Sequence, residues 1–122
     1  MKARKVTIKV ESLEDGLDHF VDIYEKARLR EKVEPEEILS FETPELMREM
    51  LTKERLRILK AVREKEPKTI YALAKLMQRP YSNVFNDVKK LAEMGLMDLD
   101  KKKKGATRPK AKYDRLNITI PV

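Results

Sequence analysis

The chain has 122 residues, 41% of them hydrophobic and 6% aromatic, which suits one domain of ordinary size with a mainly aliphatic core. It contains no Cys, which excludes disulfides, thiolate metal sites and thiol nucleophiles together. Its net charge of +7 is uneven: residues 1–50 hold 9 basic and 13 acidic side chains and residues 51–122 hold 19 and 8, so the second part calls for a polyanionic partner.

Residues 5–10, KVTIKV, alternate with Val6, Ile8 and Val10 on one face, the pattern of a half-buried strand. Ser12 offers an N-cap to a helix whose stripe of Leu13, Leu17, Phe20, Val21, Tyr24 and Ala27 is expected to face the core. His19, the only histidine, falls on the polar side of that helix with no partner for metal binding or catalysis. Residues 31–37 are polar and interrupted by a proline, so a loop is expected, followed by a short apolar strand over 38–41. Thr43 and Pro44 start a short helix with Leu46, Met47, Met50 and Leu51 inward, and Thr52 caps the next, which carries Leu56, Ile58, Leu59 and Val62 and stops before Pro67.

Residues 69–95 follow as two helices around a turn at Gln78, Arg79 and Pro80. Ile70, Leu73, Ala74 and Met77 share one face of the first, Val84, Val88 and Leu91 one face of the second, and Gly95 suits the left-handed position that ends it. This is the spacing of a helix-turn-helix, whose second helix enters the major groove of DNA. Residues 96–100 alternate, as do Leu116, Ile118 and Ile120, so these two runs are expected to pair as a hairpin across a basic loop, with Val6, Ile8 and Val10 beside Leu116, Ile118 and Ile120 within one chain or across two. The expected class is α+β, mainly α: a strand-helix extension over 1–37, serving a dimer or other partner, and a winged helix-turn-helix domain over 38–122.

At about 100° per residue, Ser82, Lys89, Asn86, Lys90 and Asn83 lie about 140–260° from the buried direction of Val84. Asn pairs with the adenine edge and Lys reaches guanine or phosphate, so Ser82, Asn83 and Asn86 are the expected base readers, with Lys89 and Lys90 in support. Thr69, at the head of the first helix, joins the expected DNA contacts, and Arg79 and Tyr81, at the turn, are expected at phosphates. Lys101, Lys102, Lys103, Lys104, Arg108, Lys110 and Lys112 cluster around Gly105 as a basic wing suited to the minor groove or flanking phosphates. No phosphate-binding glycine loop, dinucleotide fingerprint or HExxH is present, so no enzyme activity, metal or cofactor is expected.

From Leu39 onward the chain resembles a family of small prokaryotic winged helix-turn-helix transcriptional regulators. The resemblance is carried by Phe41, Leu51-Thr52, Arg55-Leu56, Leu73-Ala74, Arg79, Val84, Asp87-Val88, Leu91, Gly95-Leu96 and Tyr113-Asp114, and the helix-turn-helix spacing is shared with MarR-like and ArsR-like regulators. The resemblance implies binding of double-stranded DNA and repressor activity; the class implies a homodimer on two half-sites. Some members look like antitoxins, and the net charge of −8 over residues 11–50 would suit a basic protein toxin. RNA is set aside on the expectation that no surface aromatics stack bases. With no apolar run near the length of a membrane span and no signal-peptide pattern, the expected location is cytoplasmic, with no membrane partner.

Overall fold

The computed structural model describes residues 4–29, 37–102 and 105–120. Within them the chain is a mixed α+β protein of five helices and five strands, in the order β1 (Lys5–Val10), α1 (Leu13–Arg28), β2 (Ile38–Phe41), α2 (Pro44–Met50), α3 (Lys53–Lys65), α4 (Ile70–Met77), α5 (Tyr81–Glu93), β3 (Met97–Lys101), β4 (Thr107–Ala111) and β5 (Arg115–Thr119). None of the described helices is long and apolar enough to cross a membrane. The contacts divide the chain into two compact units: Met50–Asp114 with Arg4, and Lys5–Glu49 with the chain from Arg115 onward. The division therefore falls near residue 50 and not after residue 37 as the sequence suggests, because β2 and β5 both pair with β1.

In the first of these sheets β1 is central, parallel to both neighbours, in the order β2-β1-β5. Val6 stands opposite Leu116 and Ile8 opposite Ile118, within one chain. The alternation of residues 116–120 thus marks a strand that lies beside β1, as expected, but is not the hairpin partner of residues 96–100. Val6, Ile8, Val10, Phe41 and Met47 supply the buried apolar side of this unit, as alternation over a half-buried strand requires.

Helix α1 begins where expected, with Ser12 Oγ accepting from Asp15 N–H at 3.2 Å. Its apolar stripe, however, faces outward, and none of its residues is buried. Gly16 and His19, on the edge beside the stripe, are its half-covered positions. Leu46 of α2, also expected inside, is exposed, whereas Met47 is buried, Met50 half-buried and Leu51, just past the helix, buried as expected.

In the other unit, Ile58 and Val62 of α3, Ile70, Leu73 and Ala74 of α4, Val84, Val88 and Leu91 of α5, and Leu96 and Met97 form an almost wholly aliphatic core. Burying side chains of this size contributes ~1.5–3 kcal/mol each. Leu56, on the wide apolar arc of α3, stays exposed. Thr52 and Thr69 cap α3 and α4, accepting from Arg55 N–H at 3.2 Å and Ala72 N–H at 3.0 Å. Strand β3 pairs antiparallel with β4, Leu99 opposite Pro109 and Asp100 opposite Arg108. The hairpin partner is thus Thr107–Ala111, a segment whose proline and charges hide it from a search for alternation.

Candidate nucleic-acid interface

The geometry of α4, the turn and α5 is set locally. Gln78 takes the left-handed conformation (φ 54°) and its N–H donates to Lys75 O, while Arg79 N–H donates to Ala74 O. Pro80 then opens α5, its carbonyl accepting from Asn83 and Val84 N–H at 3.1 and 3.2 Å. Proline suits this position because it has no N–H to leave unpaired. Val84, Val88 and Leu91 are wholly buried, which fixes the rotation of α5 about its axis. Ser82, Asn83, Asn86, Lys89 and Lys90 are exposed in consequence. Gly95, at φ 78°, ends the helical segment and turns the chain into β3.

A carboxylate-arginine network ties α5 to α3. Asp87 Oδ1 lies 3.1 Å from Arg55 Nε, and Asp87 Oδ2 lies 2.9 Å from Arg79 Nη1. Arg55 also donates to Met50 O at 2.8 Å, and Glu54 Oε2 stands 3.7 Å from Arg79, within ion-pair range but beyond a direct hydrogen bond. The Arg79 guanidinium is therefore turned toward Asp87 and not outward as the sequence suggests. Thr69 Oγ1 accepts from Ala72 N–H in the α4 cap, a bond that does not use its O–H donor. Arg55, Arg79 and Asp87, three of the residues on which the family resemblance rests, meet in this one network.

The structure also brings together aromatics that the sequence leaves scattered. Tyr71, Tyr81 and Phe85 are all exposed. The Tyr81 ring lies 6.3 Å from Tyr71 and 5.9 Å from Phe85, stacked with the latter, and Lys75 Nζ sits 4.8 Å above Tyr71. Tyr71 and Tyr81 are ten residues apart across the turn, and Tyr81 and Phe85 one helical turn apart. The expectation of no surface aromatics is thus incorrect, and with it the ground for setting RNA aside.

Of the basic wing the structure describes Lys101, Lys102, Arg108, Lys110 and Lys112. Lys101 and Lys102 are exposed at the turn of the hairpin, where Lys102 N–H donates to Ala106 O at 2.9 Å and Gly105 takes φ 78°. Lys103 and Lys104 lie outside the described residues. Arg108 is half-buried on β4, and Lys110 Nζ lies 3.3 Å from Asp100 Oδ2, so its charge is partly compensated. Lys112 Nζ stands 5.6 Å from the Tyr113 ring centre, which Arg4 also approaches at 5.2 Å. Residues 50–114 nevertheless hold 18 basic and 8 acidic side chains, a net of +10, whereas residues 5–49 with 115–122 hold 8 and 13, a net of −5. No group of acidic and histidine side chains among the described residues is arranged to hold a metal ion.

The model of the HVO_A0114 family matches residues 50–118. The chain belongs to the HVO_A0114 family. The HVO_A0114 match begins where the basic unit begins and runs through the α4-turn-α5 segment, the hairpin and most of β5. No curated protein matches the chain.

Proposed function

We propose that Met50–Asp114 is a winged helix-turn-helix module through which this protein binds double-stranded DNA sequence-specifically, as a cytoplasmic transcriptional repressor acting in two copies on paired half-sites. The observation that carries the reading is the outward face of α5. Two amides, a hydroxyl and two ammonium groups stand exposed on a helix whose rotation is fixed by three fully buried residues. Amides at the N-terminal half of such a helix match the adenine edge, and its lysines match guanine or phosphate. The net charge of this unit supplies the nonspecific attraction that any DNA-binding surface needs. Tyr81 and Phe85 add apolar contacts for sugars or thymine methyl groups beside the reading face.

The test is footprinting and gel shift on the DNA upstream of the protein's own gene, with an unrelated duplex and a single strand as competitors at moderate salt. Protection of two half-sites about one helical turn apart supports the proposal. Equal affinity for the unrelated duplex, or a preference for the single strand through the aromatic row, overturns it.

A further inference from the structure

Helix α1 carries an apolar face that no described residue of its own chain buries. Leu13, Leu17, Phe20 and Tyr24 are 71%, 57%, 66% and 60% exposed. With Ala27 these residues are spaced alternately four and three apart, a 3.5-residue repeat. That is the period of a seam between two helices, slightly shorter than the natural turn of one helix. At the usual size of such side chains, the four together with Val21 leave on the order of 600 Å² of apolar surface in one strip. A patch of that size is at the upper end of what monomers leave open and approaches the ~800 Å² per partner of a standard interface.

The charges name the occupant. Glu14, Val21 and Arg28 are seven residues apart and form one column along the flank of the seam, reading acidic, apolar, basic. A two-fold axis across the middle of α1 lays this column against its own reverse. Glu14 then faces Arg28 of the copy, Val21 faces Val21, and Arg28, which within its own helix donates to Glu25 at 2.9 Å on the exposed surface, faces Glu14. In parallel order the acidic first turns, Glu14 and Asp15, would lie side by side and repel. We propose that α1 pairs with α1 of a second copy of this chain, antiparallel, about a two-fold axis near Phe20 and Val21. Such a contact is isologous, so it closes at a dimer. It rests on the proposed function only for the purpose of pairing, since it forms without DNA.

The full chain, free of DNA, is examined by sedimentation equilibrium. The wild type is expected to be dimeric at micromolar concentration, and Phe20→Glu with Tyr24→Glu monomeric. Glu14→Arg alone and Arg28→Glu alone should each weaken the dimer about tenfold, and the two together should restore it, because both cross-pairs change sign at once. Since the chain has no cysteine, single introduced thiols report the direction of pairing. Val21→Cys should be joined to its copy by a short bismaleimide, whereas Leu13→Cys, separated from its copy by ~20 Å along the helices, should not. A monomeric wild type overturns the proposal, as does cross-linking at Leu13→Cys without Val21→Cys, or a double charge reversal that fails to restore the dimer. Loss of DNA binding with the dimer intact would overturn the proposed function and leave this contact standing.

Discussion

The Arg79 guanidinium donates to Asp87 Oδ2 at 2.9 Å, so the charged side chain of the turn points into the protein. Asp87 in turn holds Arg55 of α3 on its other oxygen, and one carboxylate thereby fixes the turn, α3 and α5 together. Removing it in Asp87→Ala takes from two partly covered guanidinium groups the carboxylate they share, leaving Arg55 its bond to Met50 O. The expected cost is about 2–3 kcal/mol, read from urea denaturation. Arg79→Ala should cost about 1–2 kcal/mol, since Arg55 keeps its partner. Because Arg79 is committed internally, its loss should leave the salt dependence of DNA binding unchanged.

The lysines at the hairpin turn behave in the opposite way. Lys101 and Lys102 are exposed and contribute little to stability, so replacing either by Ala should change it by less than about 0.5 kcal/mol. Each that contacts a phosphate should lower the slope of log affinity against log salt by ~1 and weaken all duplexes alike. Lys110, paired with Asp100 at 3.3 Å, should have a smaller effect. Fluorescence anisotropy across a salt series separates the three.

Specificity should reside in the amides of α5. Asn83→Ala and Asn86→Ala each remove an exposed side chain from a helix held by buried neighbours, so the fold is preserved. Each should cost about 1–3 kcal/mol on the footprinted site and almost nothing on unrelated DNA. Competition binding with the two duplexes measures the difference. An equal loss on both would move that residue from base contact to phosphate contact.

Local signals in the sequence were sufficient wherever the structure is decided locally. Ser12, Thr52 and Thr69 cap their helices because a hydroxyl beside a helix start has free N–H groups within reach, whatever the rest of the chain does. Val84, Val88 and Leu91 revealed the buried side of α5, and hence its exposed side, by spacing alone. Pairings between distant segments were another matter. Alternation in residues 116–120 announces a strand and fits it beside both residues 96–100 and β1; β1 is its partner, and the strand over residues 97–101 pairs elsewhere. Thr107–Ala111 pairs at a sheet edge, where Pro109 is tolerated and no alternation is needed. The Arg55, Arg79 and Asp87 network links charges far apart in sequence, and the stripe of α1 shows that a face is apolar without showing what covers it.

Gly95 was legible for a reason that makes a prediction. Its φ of 78° lies where a Cβ strains the backbone, although open space surrounds the position itself. Gly95→Ala should therefore cost about 1 kcal/mol through backbone strain alone, with no steric clash to relieve. Gly95→Asn should cost less, since Asn enters this region more readily. Thermal denaturation of the pair distinguishes strain from packing, because a packing defect would make the larger Asn the worse substitution.

Strand β5 lies at the edge of its sheet and is bonded on one side only, to β1. In such a strand alternate residues direct their N–H groups toward the neighbour, so of two adjacent positions one donates to the ladder. Proline at Asn117 and proline at Ile118 should therefore differ: one removes a β1–β5 hydrogen bond and the other loses an N–H that faces away from β1. The damaging variant should lose hydrogen-exchange protection in Lys5–Val10 and Arg115–Thr119. Protection in α5 should persist, because its buried residues pack within the other compact unit. Collapse of protection in both units together would instead show that they unfold as one, and the α5 surface would then depend on the parallel sheet for its stability.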